Sequence, residues 1–165
     1  MFLALQVFSV VTVAVAMALT LAHALELPGK RRLTREQYLV VQPIYYPGFT
    51  FGGIAEPLGL LLLIALLVLT PAGGTPFWLT AGALAALATM HGVYWVLTHP
   101  VNNFWLKDHQ LKGFSASFFF FDPLKRGNSA KPDWTVLRDR WEHSHVVRAG
   151  LGIASLLLLV TAVAL

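Results

Sequence analysis

The 165-residue chain contains no cysteine, and Asp, Glu, Lys and Arg together make up only 12% of it. An average soluble domain carries about 25% charge. Without cysteine there is no disulfide framework, no thiolate metal site and no cysteine nucleophile. The shortage of charge excludes a disordered chain, a coiled coil and an ordinary soluble enzyme, all of which need charge to face water. Several familiar chemistries are missing too: there is no phosphate-binding glycine loop, no HExxH and no GxSxG.

What remains is apolar. Hydrophobic residues account for 56% of the chain, and the mean hydropathy is +0.65. A membrane helix needs about 20 apolar residues to cross roughly 30 Å of hydrocarbon. Four stretches meet or approach that length, at about 1–25, 54–71, 77–98 and 133–165. The first holds no Asp, Glu, Lys or Arg, and the third has none either, with His91 as its one histidine. The first also reads as a retained helix, because it lacks a basic leader and is long for a signal peptide core. The expected fold is all-α: one integral membrane domain over 1–165, a four-transmembrane-helix bundle with structured cytoplasmic loops.

Basic residues fix an expected orientation. Lys30, Arg31, Arg32 and Arg35 fall in the first connection, none falls in the hinge Pro71-Ala72-Gly73-Gly74-Thr75-Pro76, and the other eight lie between His99 and Arg148. By the positive-inside rule the first and third connections are cytoplasmic and both termini lie outside, as in a bacterial inner membrane. The net charge of +4 needs no nucleic acid, since basic loops beside membrane helices set topology and touch anionic lipid. The expected partners are the lipid bilayer, a lipophilic small molecule, and a membrane-protein partner or a second copy of the chain.

The connections hold local structure. Thr34-Arg35-Glu36-Gln37 reads as a capping box for a short helix ending near Pro43. Asp133 reads as the cap of the last helix, which then starts before the membrane. The run Phe118-Phe119-Phe120-Phe121 is too short to span and reads as an interfacial anchor.

This topology gathers polar residues into one layer. His23 and Glu26 end the first helix, Glu56 begins the second, and His91 lies about 10 Å above His99 at 1.5 Å per residue in the third. Asn102 follows His99, and His143, His145 and Arg148 enter with the fourth. His23 and Glu26 are three apart on one helical face; taken alone they read as an interfacial polar pair at a helix end, although a Glu and a His at that spacing also occur in di-iron carboxylate bundles. His91 is costly inside a membrane unless it faces the interior or bonds a neighbour. His99 before Pro100 reads as a candidate pocket group or simply a helix end. Helical spacing aligns Trp134, Arg138, Trp141, His145 and Arg148 on one face. That stripe is either an interfacial anchor or the cap of a pocket in which Arg138 and Arg148 supply fixed positive charge. No cofactor is expected. The alternative is a transition metal held by His23, His91 and His145, or a haem between two helix histidines.

The run His23-Ala24-Leu25-Glu26-Leu27-Pro28-Gly29-Lys30, followed by Tyr38-Leu39-Val40-Val41-Gln42 and Ile44-Tyr45, resembles the anthrone oxygenase-like family of small four-helix membrane proteins. Pro100-Val101-Asn102 with Trp105, and Trp134-x-x-Leu137-Arg138-x-Arg140-Trp141-x-x-x-His145-x-x-Arg148, resemble its other signatures. The likeness runs over nearly the whole chain, and Lys107 to Lys131 is longer than the family pattern. It implies oxidation of a polyketide anthrone or related phenolic compound by O2 without a metal or flavin. In that mapping His145 is the base and Asn102 and Arg148 bind the substrate oxygen, with His23, Glu26, His91, His99, Trp141 and Arg138 around the pocket. Two other readings stand beside this membrane oxidoreductase: a non-enzymatic accessory or assembly subunit docking through its aromatic loops, and a His-ligated metal or haem protein. A cavity among His23, His91, Asn102 and His145 would favour the enzyme.

Overall fold

A computed structural model describes residues 1–105 and 133–165; the Phe118–Phe121 run, His109 and the Lys107 to Lys131 stretch lie outside the described residues. The described chain is helical, and four of its helical stretches are long and apolar enough to cross a membrane. Helix α1 spans Phe2–Lys30, α2 Arg35–Val41, α3 Gly48–Gly52, α4 Ala55–Leu69, α5 Thr75–Val93, α6 His99–Trp105 and α7 Trp134–Ala164. A 3-10 turn, Gln42–Tyr45, follows α2, and a π turn, Tyr94–Thr98, joins α5 to α6.

The long helices form a four-sided ring in which α1 and α5 each touch both α4 and α7. Apolar residues from all four fill its centre: Val13 and Ala16, Leu63 and Leu66, Ala83, Leu87 and Met90, and Leu159 are almost wholly buried. Close approach between α1 and α7 depends on Gly152, where an added Cβ would sit 3.2 Å from the Met17 Cα. Ser155 donates to the Ala83 carbonyl at 2.8 Å and so ties α7 to α5. The hinge between α4 and α5 turns on Gly73, whose φ of 86° is left-handed and open mainly to glycine.

Local rules account for the ends. Thr34 accepts from the Gln37 N–H while Gln37 Oε1 accepts from the Thr34 N–H, the expected capping box. Asp133 accepts from the Thr135 N–H and caps α7, also as expected.

Two boundaries differ from expectation. Helix α1 carries on past residue 25 through Pro28 to Lys30, so Lys30 is a buried helix residue and not a loop charge. The third span does not stop at His99 but continues through Pro100 to Trp105. Pro100 has no N–H for the carbonyl of Val96, four residues back, and its ring crowds that carbonyl. The backbone widens into the π turn, in which the His99 N–H reaches the Tyr94 carbonyl. The Val96 carbonyl accepts from Arg140 of α7 at 2.8 Å.

A cavity and two buried charge clusters at one end of the bundle

At the end of the ring where α1 and α5 finish and α4 begins, a cavity of about 290 Å³ opens among the helices. Its walls are mostly rings and hydrocarbon, including Tyr45, Tyr46, Phe49, Tyr94, Trp95 and Trp141. His23, His91, Asn102, Trp141, His145 and Arg148 line it as well, so six of the nine singled-out site residues meet here. The 3-10 turn and α3 supply the near wall, an element that helical periodicity does not reveal.

Glu56 organises the first charge cluster. One carboxylate oxygen pairs with the Arg148 guanidinium, and the other accepts from His91 Nδ1 at 3.1 Å. His91 Nε2 accepts from the Trp95 indole N–H at 3.0 Å, which places the ring proton on Nδ1. Both nitrogens of His91 are thereby used. Arg148 also donates to His145 Nδ1 at 3.3 Å, and its guanidinium carbon lies 5.0 Å from the Tyr94 ring centre. A guanidinium only donates, so His145 Nδ1 accepts and the ring proton of the neutral imidazole sits on Nε2. His145 thus offers a proton, not the lone pair expected of a base.

His23 faces His145 ring to ring at 4.2 Å and lies within 5.0 Å of the rings of Tyr45, Phe49 and Trp141. Its Nδ1 stands 3.7 Å from Glu26 Oε2, longer than a hydrogen bond. Glu26 belongs to the second cluster. It receives the Tyr45 hydroxyl at 2.5 Å and the Lys30 ammonium at 2.9 Å. Lys30 is 4% exposed, stands 3.5 Å from Glu142, and sits 4.6 Å from the ring centres of both Tyr45 and Trp141. Glu142, wholly buried, accepts from the Tyr38 hydroxyl at 2.8 Å. Burial, reinforced by the Glu142 carboxylate, pushes the Tyr38 phenol well above its ordinary pKa. Burial and the hydrogen bond to Glu26 do the same to Tyr45, and burial alone to Tyr46.

No protein-family model, curated protein or solved structure matches this chain. The geometry therefore carries the functional reading alone.

Three expected site residues stand apart from the cavity wall. Arg138 pairs with Asp139 at 2.9 Å and covers the Trp134 ring, so the helical stripe splits: its Trp141, His145 and Arg148 face inward while Arg138 anchors Trp134. His99 is buried behind the wall, against Tyr94 and Trp95. Glu26 does not line the cavity and meets it through two lining residues, Tyr45 at 2.5 Å and His23 at 3.7 Å. His143, expected in the same layer, is exposed and bonds Arg31 and the Asp139 carbonyl. Asn102 lines the cavity, but its Oδ1 is taken by the Trp141 indole N–H at 2.8 Å.

Among the described residues no three His, Cys, Asp or Glu side chains come together as a metal-ligand group. His23 and His145 meet, whereas His91 is turned to Glu56 and Trp95. Glu56 is the residue whose weight sequence reasoning missed. Its position in the polar layer was readable, but its role as the shared partner of α5 and α7 needs the helix register.

Proposed function

We propose that this chain is a membrane oxidoreductase that takes a flat, lipophilic phenol or anthrone-like ketone into the bundle and oxidises it with O2. The observation that carries the reading is the cavity itself: ring-lined walls, with Arg148, His145 and His23 gathered at one side. Ligand pockets run from roughly 300 to 1,000 Å³ and combine apolar walls with a few convergent polar groups. This one stands at the small end, the size for a compact fused-ring compound. The overall reaction balances: a ring methylene and one O2 give a ring carbonyl and one water. The substrate loses a C–H proton, the electron-rich carbanion is oxidised by O2, and the resulting hydroperoxide loses water to leave the ketone.

Roles follow from the hydrogen-bond directions. Arg148 and the His145 Nε2–H are donors suited to a developing oxyanion, and such preorganised donors are worth most in a dry, low-dielectric site. His23, whose Nδ1 faces a carboxylate, is the group left to accept the proton. The base role expected of His145 therefore moves to His23, and His145 becomes the oxyanion donor. In the orientation set by the basic connections the cavity lies toward the cytoplasmic face. The test is O2 uptake by the purified protein supplied with a synthetic anthrone. One O2 should be consumed per ketone formed, and His23→Gln should lower the rate about 100-fold or more. Absence of uptake by the unaltered protein sinks the reading.

A further inference from the structure

Among the described residues three carboxylates, Glu26, Glu56 and Glu142, stand at the cavity end, and they differ in what they can release. Glu56 is 6% exposed with its two oxygens engaged by Arg148 and His91. Glu142 is fully buried between Lys30 and Tyr38. The Glu26 side chain is 40% exposed, while its partner His23 is only 7% exposed and lines the cavity. Glu26 is thus the one of the three that touches both a cavity-lining histidine and the outside of the bundle.

We propose that Glu26 is the proton port of the site: it receives the proton that His23 takes from the substrate and hands it to water at the headgroup level. This rests on the reading of His23 as the base. The step balances without an oxidant. The substrate proton adds to His23 Nε2, the proton on Nδ1 passes to Glu26 Oε2 once the 3.7 Å separation closes to hydrogen-bond distance, and the neutral carboxyl then releases it outward. His23 is left neutral in its other tautomer, which a ring flip or a returning proton resets.

Lys30 and Tyr45 explain why the port holds its place. Lys30 pairs with Glu26 at 2.9 Å, Tyr45 donates to it at 2.5 Å, and both residues are buried. Without them a half-exposed glutamate at a helix end would swing to solvent. Lys30 itself is fixed by Glu142 and by two ring faces, so the second charge cluster reads as the support of the port. Glu26 acts through His23 and is a positioning and relay residue.

The experiment uses the full chain in lipid nanodiscs. Glu26→Gln keeps the size of the side chain and an acceptor for Tyr45 and Lys30; its kcat should fall about 100-fold with KM unchanged. Glu26→Ala should regain rate in proportion to added formate or acetate, which a merely structural glutamate would not allow. A Glu26→Gln protein at full rate, or a slow Glu26→Ala protein indifferent to both acids, overturns the proposal. If the unaltered protein oxidises no anthrone, the enzymatic reading fails separately, and the port is tested by binding. A lipophilic nitrophenol should bind as its coloured phenolate with release of a proton to a pH-indicating dye, and Glu26→Gln should slow that release about 100-fold. A nitrophenol that does not bind, or equal release rates in both proteins, overturns the port.

Discussion

Arg148 of α7 and Glu56 of α4 form a buried ion pair in the wall of the cavity, both less than a tenth exposed. Their neighbours complete the pair: His91 donates to the second oxygen of Glu56, and Arg148 donates to His145. Fixed charges this far inside an apolar bundle are costly unless paired and hydrogen-bonded.

Breaking the pair from one side should therefore destabilise strongly. Arg148→Met or Glu56→Gln leaves a buried group without its partner and should cost about 3–5 kcal/mol. The double variant Glu56→Gln with Arg148→Met should lose less than the two singles added together. Thermal unfolding of the four proteins in one detergent measures this, and strict additivity would show that the two residues do not act as a unit.

The Lys30 cluster predicts a second coupled loss. Lys30→Met leaves Glu142, which has no exposure of its own, with Tyr38 as its remaining donor. Stability should fall by several kcal/mol, and adding Glu142→Gln should recover part of it. A double-mutant cycle with a coupling below about 0.5 kcal/mol would mean that Lys30 serves Glu26 alone.

The path of the chain through Pro100 gives a local prediction. Arg140 donates to the Val96 carbonyl, to which Pro100, four residues on, brings no N–H. Arg140→Ala should cost about 1 kcal/mol, and amide exchange should quicken in Tyr94–Trp105 more than in α5. Pro100→Ala restores the missing N–H and should remove most of the sensitivity to Arg140. Equal exchange in all these proteins would show that the guanidinium contributes nothing to the turn.

The membrane helices were legible because length, apolar content and the position of charge bear directly on lipid burial; even the Thr34 box and the Asp133 cap follow from short-range spacing. The polar layer was legible in outline, since alternating helices must bring His23, Glu56, His91 and His145 to one end. What spacing cannot decide is which partner a side chain chooses. Arg138 shares a helical face with Arg148, yet Asp139 and the Trp134 ring hold it away from the cavity. Lys30 counts as a loop charge until α1 is seen to continue through Pro28, and His99 reads as a helix end until the π turn absorbs Pro100. The wall built by Tyr45, Tyr46 and Phe49 comes from a short turn whose course no periodicity specifies.

Tyr38 carries a pH prediction. Its phenol is buried, close to the Glu142 carboxylate and donating to it, and all of these hold the neutral form. The folded pKa therefore lies above the unfolded value of about 10. A group raised in this way contributes its stability fully below the unfolded pKa and loses it as pH climbs toward the folded one. Tyr45 and Tyr46 are shifted in the same direction. Each such tyrosine takes away about 1.4 kcal/mol per pH unit above about pH 10, because the unfolded chain ionises there and the folded one does not. Tyr38→Phe should thus be less stable at neutral pH by about 1–3 kcal/mol, having lost the donor to Glu142, but its stability should fall less steeply in alkali. Denaturant midpoints followed from neutral to strongly alkaline pH separate the two effects. An unchanged alkaline slope would place the loss on the other tyrosines and show that Tyr38 ionises as freely in the folded protein as in the unfolded chain.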